Sequence, residues 1–407
     1  MKEFIHIKNF GPLKDVLIED IKPFTVLIGE SGSGKSVLMK VIALFRWIYQ
    51  KYNTRAYLKN SGILKSPFRF HVKKELRRSG LDEFISRKTT VNYCVEFEEK
   101  RRYEIAFQAG KESLDFCFSK REEGQWKSFP QRVPIEQNDI WLNKINVIPE
   151  TRSLTAFWQA KGATTGTSLD YYFNEFYRLF DDALQINEIP IPYLNIKFKG
   201  EQAQFGKKYF ITPLEARTED EKYKIEYKNG SSGMQNAIPL VLVSEFFSKY
   251  IDLGKVFAGW IWEMLVEAEK TTAFTPKIEL SDIKKKIYLH IEEPELSLFP
   301  DAQCDLIDDL VCRCFIENKN KMELFIATHS PYILNHLNLL IKAHDAKAER
   351  VGFDFDKLAV YHLVDGVLED LKLKNDRLIY TNLLTDTLNS IYDEYDELAN
   401  ENGTTSA

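Results

Sequence analysis

Short, mostly apolar runs recur along the chain at residues 24–28, 145–148, 287–291 and 324–327. Each is rich in Val, Ile, Leu or Phe and bounded by turn formers or polar residues, the pattern of strands buried on both faces of a parallel sheet. A second pattern, strict alternation of apolar and polar positions, occupies residues 5–7, 91–97, 103–107 and 114–118. It predicts strands with one wet face, and the last three read as an antiparallel meander. Helical spacing follows most of the apolar runs. Residues 37–49 contain no Gly or Pro and predict a helix just after the first buried strand. Further helices are predicted at 169–180, 234–250, 301–316 and 331–341, with short helical pieces at 72–78 and 81–87. An acidic helix closes the chain. Turn residues at 9–12, 229–233 and 365–366 punctuate these elements. Strands alternating with helices in one part, and a meander of strands in another, predict an α/β protein.

Composition narrows the class. With 407 residues, 44% hydrophobic and 28% charged, the chain has the make-up of a globular protein with a large core. No basic segment followed by an apolar stretch opens it, and no apolar run is long enough to span a bilayer. A cytoplasmic location with no membrane partner is the expectation. The five cysteines, Cys94, Cys117, Cys304, Cys312 and Cys314, are odd in number and form no C-x-x-C pair, which fits a reducing compartment. The net charge of −5 argues against a protein whose main task is coating DNA. The charge is uneven, however. Residues 55–90 carry ten Lys/Arg against three Asp/Glu, and residues 386–401 carry six acidic residues and no basic one.

Chemistry gathers at the turns after the apolar runs. Gly29-Glu30-Ser31-Gly32-Ser33-Gly34-Lys35-Ser36 fits G-x-x-x-x-G-K-[ST] between a buried strand and a helix. Glycines let successive backbone N–H groups converge on phosphate oxygens, and the helix start adds a positive dipole end. Lys35 would reach the β- and γ-phosphates of ATP and Ser36 would ligate Mg2+. The 287–291 strand ends in two carboxylates. Glu292 would hold the metal through water, and Glu293 would act as the general base on the attacking water. The 324–327 strand leads to His329, placed to hydrogen-bond a γ-phosphate. Ser231-Ser232-Gly233-Met234-Gln235 opens a helix, where N–H groups and hydroxyls make an anion site.

Taken in order, GESGSGKS, SSGMQ, LHIEEPELSLFP and ATHSP resemble the ABC-type ATPases of the SMC, Rad50 and OLD group, in the AAA15/AAA21-like branch with an EEPE Walker B. The resemblance covers residues 1 to about 371. It implies an α/β ABC-type P-loop NTPase head with an antiparallel β-subdomain and a mixed helical insertion between Walker A and signature. The corresponding divisions are an N-terminal lobe at 1–51, a basic helical insertion at 52–90, a β-rich and helical insertion at 91–228, the signature, Walker B and H-loop lobe at 229–372, and an acidic helix and tail at 373–407. It also implies a head-to-tail dimer, or a higher homo-oligomer, that sandwiches two ATPs. Ser231, Ser232, Gly233 and Gln235 would then act in trans on the partner's γ-phosphate. Pro149-Glu150-Thr151-Arg152 resembles the P-x-x-R element of this branch, which would turn Arg152 toward the nucleotide. One departure stands out: Phe299 precedes Pro300 where the branch has a histidine.

Only 78 residues follow His329, too few for the TOPRIM nuclease of OLD proteins, and Asp354-Phe355-Asp356 reads as a turn. Free-standing ATPases of this kind resemble the ATPase subunits of two-component anti-phage systems. The PARIS type, with a TOPRIM-type effector, is the nearer likeness, and the Septu type, with an HNH nuclease, the competitor. That resemblance implies a sensor-scaffold that holds a toxic effector until a phage trigger protein, or DNA, meets the basic 55–90 segment. The alternative is a DNA-repair or chromosome ATPase that clamps DNA. A transporter subunit fits least, because Lys35 and Ser231 are too far apart in sequence.

Overall fold

The structure, a computed structural model, describes the chain except residues 66, 68–70, 99–100, 112–113, 123–124, 130–134, 162–170, 205, 217–221, 383–385 and 404–407. Its strands in chain order are β1 (Lys2–Phe10), β2 (Leu13–Ile18), β3 (Phe24–Ile28), β4 (Ile85–Phe97), β5 (Arg101–Gln108), β6 (Asp115–Glu122), β7 (Gln125–Phe129), β8 (Trp141–Ile148), β9 (Glu188–Ile191), β10 (Ile196–Ala203), β11 (Gly206–Pro213), β12 (Ile225–Glu226), β13 (Lys284–Glu292), β14 (Met322–Thr328), β15 (Leu358–Val364), β16 (Val367–Asp370), β17 (Lys372–Leu373) and β18 (Leu378–Ile379). The helices are α1 (Lys35–Asn60), α2 (Val72–Arg78), α3 (Thr155–Lys161), α4 (Tyr171–Ala183), α5 (Ser232–Glu245), α6 (Leu253–Glu267), α7 (Pro300–Val311), α8 (Pro331–Asp345) and α9 (Asp386–Gly403).

Twelve strands form one mixed sheet in the order β7-β6-β5-β4-β1-β2-β16-β15-β3-β14-β13-β8. Five neighbours, β15, β3, β14, β13 and β8, are parallel, and four of them are the apolar runs of the sequence. β3 and β14 are buried at every residue, as strands covered on both faces must be. The alternating strands at the other end, β7 through β2, are antiparallel. Strand β16 joins the halves, antiparallel to β15 and parallel to β2. Strands β12, β11, β10 and β9 form a separate antiparallel sheet.

The sheet curls around α1. Strands β1 and β13 stand six places apart in it, about 29 Å if it were flat. Yet Tyr288 of β13 donates to Glu3 of β1 at 2.5 Å. Between them lies Arg46 of α1, which is 2% exposed and donates from Nε to Glu3 at 2.7 Å, from Nη2 to Glu323 of β14 at 3.2 Å, and from Nη1 to His290 Nε2 at 3.2 Å. Lys286 of β13 bonds Glu323 at 2.5 Å, so two cations and two carboxylates balance inside the core.

Helix α1 runs to Asn60, so residues 52–60, expected in the basic insertion, continue the P-loop helix. The expected end at residue 49 was early because Gln50, Asn53 and Thr54 look like a wet surface. All three are buried. Gln50 and Asn53 accept the backbone N–H groups of Asn143 and Trp141, on the open side of edge strand β8. The expected helix at 81–87 is instead a short turn, Asp82–Phe84, followed by β4, because Ile85 pairs with Phe10. Asp354-Phe355-Asp356 is a turn, with Asp354 accepting from the Asp356 N–H at 3.0 Å. Part of the basic 55–90 segment, including Arg69, lies outside the described residues. Within α2, Arg77 pairs with Asp82, and Arg78 with Glu75 and Glu175. Among the described residues, no helix is long and apolar enough to cross a membrane.

The core cluster makes a pH prediction. Burial, then the neighbouring Arg46 charge, push the His290 pKa down to about 3, so the ring is neutral. Its Nδ1–H donates to Asn146 O at 3.0 Å while Nε2 accepts from Arg46. In the unfolded chain the same ring protonates near 6.5. Below that pH the unfolded state therefore binds a proton that the folded state refuses, and stability falls by up to about 1.4 kcal/mol per pH unit. Glu3 acts in the same direction at lower pH: burial opposes its charge, but Arg46 and Lys286 outweigh burial and lower its pKa. Melting temperature should fall between pH 7.5 and 5.5, and His290→Gln should remove most of that fall. Equal falls in both proteins would refute the assignment.

Candidate functional site

Four chain segments leave the carboxyl ends of adjacent parallel strands, where open α/β sheets bind ligands. β3 ends at Ile28 and β14 at Thr328, which are paired. Glu292 at the end of β13 pairs with Ala327, and Ile291 pairs with Ile148 at the end of β8. This register brings Gly29–Ser36, His329, Glu292, Glu293 and Arg152 to one edge of the sheet.

The glycine loop is held from both sides. Gly34 caps α1 at φ +104, and a Cβ there would lie 2.7 Å from Pro12 Cγ, in the β1–β2 turn. A Cβ on Gly29 would lie 2.6 Å from the Leu363 carbonyl of β15. Lys35 Nζ donates to Gly29 O at 2.9 Å and Glu30 O at 2.8 Å. Two of its three N–H bonds thus shape the loop, and one is left for a phosphate oxygen. Burial lowers the Lys35 pKa, while Glu293 and Glu295 oppose that shift. Glu30, Ser31, Gly32 and Ser36 are exposed, and the Ser33 hydroxyl is buried with no hydrogen-bond partner.

Glu292 is 3% exposed. Its Oε1 lies 3.5 Å from Lys40 Nζ and makes no hydrogen bond. The Lys40 ammonium offsets part of the cost of that buried carboxylate oxygen, and the oxygen's hydrogen-bonding capacity is left for a water or a metal-bound water. No cluster of three or more His, Cys, Asp or Glu that could hold a metal occurs among the described residues. Mg2+ suits this donor set, since it is commonly held by one or two protein oxygens, phosphates and water. Glu292 and the exposed Ser36 hydroxyl are the fitting ligands.

Glu293 adopts φ +43, a left-handed conformation rare for a non-glycine residue. Its N–H donates to Ala327 O at 2.8 Å, and its Oε1 stands 3.4 Å from His329 Nε2. Both side chains are partly exposed. Glu295 accepts the backbone N–H of His329 at 2.7 Å, its other oxygen is buried without a partner, and burial raises its pKa.

Arg152 does not turn toward a nucleotide. It is fully buried and donates to four main-chain carbonyls: Asn236 at 3.1 Å, Pro149 at 3.2 Å, Glu292 at 2.7 Å and Glu293 at 2.6 Å. Burial pushes its pKa down to about 10, opposed by Glu295, Glu293 and Glu292, so it stays charged at neutral pH. It clamps the carbonyls that the Walker B strand leaves beyond its last ladder bond.

The SSGMQ segment divides. Ser231 caps α5 by accepting from Met234 N, and Ser231 and Ser232 are exposed. Gly233 is buried, and a Cβ there would lie 2.7 Å from Ser297 O. Gln235 is buried, with its amide donating to Lys228 O at 2.8 Å. Within the chain the Gln235 amide is directed inward rather than to the surface that Ser231 and Ser232 share: the turn before α5 leaves a carbonyl that needs a donor, and Gln235 supplies it. Sequence reasoning assigned no role to Glu295 or Lys40. The third carboxylate of EEPE was the visible signal for the first. A cation early in the P-loop helix was a much weaker signal for the second.

Arg152→Ala leaves the clamped carbonyls without their donor, and should destabilise the protein by about 3 kcal/mol or more. An arginine that merely faced nucleotide would, on substitution, lower ATP affinity and leave the melting temperature in place. Thermal melts without nucleotide distinguish the two.

No curated protein matches this sequence. Two solved structures illustrate the distant likenesses. One, the SmcHead bound to the C-winged helix domain of ScpA, is 14% identical, with TM-score 0.40, covering 92% of this chain and 98% of the other. The recombination mediator protein RecF with ATPrS is 13% identical, with TM-score 0.33, covering 91% of this chain and 97% of the other. The family model described as AAA ATPase domain, AAA_15, matches residues 1–162 and 159–334, most of the chain. Those two matched stretches hold the glycine loop, the Walker B carboxylates and His329, and the chain belongs to the AAA ATPase domain family as an ATPase.

Proposed function

We propose that the protein hydrolyses ATP at an ABC-type composite site and works as the sensor-scaffold subunit of a two-component anti-phage system, resembling AriA of PARIS or, next, PtuA of Septu. One observation supports the hydrolytic part above others: Glu293 stands at a strand's carboxyl end in a strained backbone, 3.4 Å from His329 and directly after the buried Glu292, whose Oε1 faces Lys40 but makes no hydrogen bond. The glycine loop and Lys35 bind the triphosphate. Ser36 and Glu292 would hold Mg2+, which would supply charge neutralisation to the phosphates. Glu293 takes the proton of the attacking water, and His329 donates to a γ-phosphate oxygen and orients Glu293.

Ser231 and Ser232 stand exposed at a helix N-terminus, where hydroxyls and N–H groups suit an anion. In a head-to-tail dimer they would meet the γ-phosphate held by the other subunit. The effector would be a TOPRIM-type or HNH nuclease, released when a phage trigger protein or DNA binds. A second reading, a DNA-clamping ATPase of the SMC or RecF kind, is favoured by the exposed Lys73 and Lys74 of α2.

Glu293→Gln should keep ATP binding, lose turnover by at least about 100-fold, and accumulate dimer on size-exclusion chromatography. Normal turnover would remove Glu293 from the base role. Ser232→Arg and Lys35→Ala proteins should each be inactive alone and recover activity when mixed, because each heterodimer contains one intact composite site. Persistent inactivity of the mixture would refute the trans arrangement. Duplex-DNA affinity measured at two salt concentrations separates the two readings: a DNA clamp loses affinity with a log–log slope of about 0.9 per phosphate contacted, whereas the anti-phage reading with a protein trigger predicts no such binding.

A further inference from the structure

A cavity of about 450 Å³ opens beside edge strand β8, walled by α1, α4 and α6. No residue of the glycine loop, Walker B end or His329 lines it. Its floor is an incompletely satisfied sheet edge. Trp141 and Asn143 turn their N–H groups away from β13 onto Asn53 and Gln50. The two-residue alternation of a strand puts the Ile145 and Val147 N–H groups on the same open side. Along α1 the facing positions advance three residues for every two of β8, so the next two are Trp47 and Leu44. Neither side chain offers an acceptor. Both residues line the cavity, as do Ile145 and Val147. The side-chain amide nitrogen of Asn146, a donor also at the wall, is buried without a partner, as are the amide oxygens of Asn143 and Asn146.

The charges lining the cavity are unequally matched. Glu175 lies 4.0 Å from Arg78 and 3.3 Å from Arg178, and Glu75 lies 3.8 Å from Arg78. Lys144, between Asn143 and Ile145, makes no close ion pair among the described residues; burial lowers its pKa, opposed by the charges of Glu175 and Asp182 farther off. Lys51 lies 4.8 Å from the Trp47 ring centre and 4.5 Å from that of Trp260. Tyr171 and Tyr172, each with a cation over one ring face (Arg78 at 4.1 Å and Lys40 at 5.5 Å), and Phe176 add aromatic wall. Flat apolar faces, a cation and outward N–H groups form a complementary set, and the volume lies in the range of small-ligand sites.

We propose that this cavity is a second ligand site, separate from the ATP site, for a small planar anion: an aromatic or heteroaromatic ring carrying a carboxylate, sulfonate or phosphate. The ring stacks on the Trp and Tyr walls. The anionic oxygens accept from Lys144 and from the Ile145 and Val147 amides.

Two probes with the same rings test this on the full chain saturated with Mg2+-ADP: 8-anilinonaphthalene-1-sulfonate and its uncharged parent, N-phenyl-1-naphthylamine. The sulfonate should bind saturably at one site per chain, at least about 10-fold more tightly than the parent. It should slow hydrogen exchange at the Ile145 and Val147 amides. Lys144→Met should cost the sulfonate about 10-fold and leave the parent unchanged. Val256→Trp, at the partly exposed wall, should block both probes, and both variants should keep ATP turnover. Equal affinity of the two probes, unchanged exchange at the two amides, or sulfonate binding indifferent to both substitutions would overturn the proposal.

Discussion

The buried contact between Arg46 and Glu3 governs the architecture. It joins the helix that follows the glycine loop to the first strand of the antiparallel half, while Glu323 and His290 tie the same guanidinium to the parallel half. Burial disfavours the Arg46 charge, yet Glu3 and Glu323 outweigh it and raise the pKa. Each member is affordable only because the others are present, and removing one leaves an uncompensated charge in the core. The curl of the sheet follows, since an open sheet would separate Glu3 from Tyr288 by several strand widths. Further along α1, Gln50 and Asn53 close part of the β8 edge. One helix therefore fixes the phosphate loop at its start, the two halves at its middle and the sheet edge beyond.

Strain at the site has a similar logic. A non-glycine residue at φ +43 costs on the order of 1–3 kcal/mol and persists only where its surroundings dictate it. Glu293 has its N–H committed to Ala327 and its carbonyl to Arg152. With both backbone groups fixed, its carboxylate is set beside His329 rather than along the strand. Arg152 thus supports the chemistry from below the site. Its own charge is tolerable in the interior because four carbonyl dipoles and the nearby carboxylates surround it.

The parallel core, the glycine loop and the two carboxylates were legible because local pattern and local chemistry coincide there. Apolar runs become buried strands, and three of them end at the glycine loop, the carboxylate pair and His329. Long-range needs were illegible. Gln50 and Asn53 look like surface polarity, and nothing nearby in sequence shows that an edge strand almost ninety residues later requires their oxygens. The role of Arg152 was hidden for the same reason: its partners lie on β13 and α5, remote in sequence. The family resemblance put Gln235 in trans on a partner's phosphate; within the chain its amide serves the carbonyl of Lys228, a need no local pattern shows. Ile85 was drawn into a strand by its pairing with Phe10, against a helical pattern too short to prevail.

Gly233 connects these two themes. With no side chain there, the start of α5 sits against Ser297 in the loop after Walker B. Ser297 itself has φ +59, a second left-handed residue in that loop. The loop begins with Glu293, and its Glu295 carboxylate receives the N–H of His329. From the exposed Ser231 and Ser232, direct contacts therefore run through Gly233 and the Ser297 loop to both side chains that face the reacting phosphate in the proposed mechanism. An anion or partner seated on the serines bears on backbone already held in unfavourable conformations, where small displacements are costly. The same glycine that lets α5 approach makes the helix start and the Walker B loop one mechanical unit within a single chain.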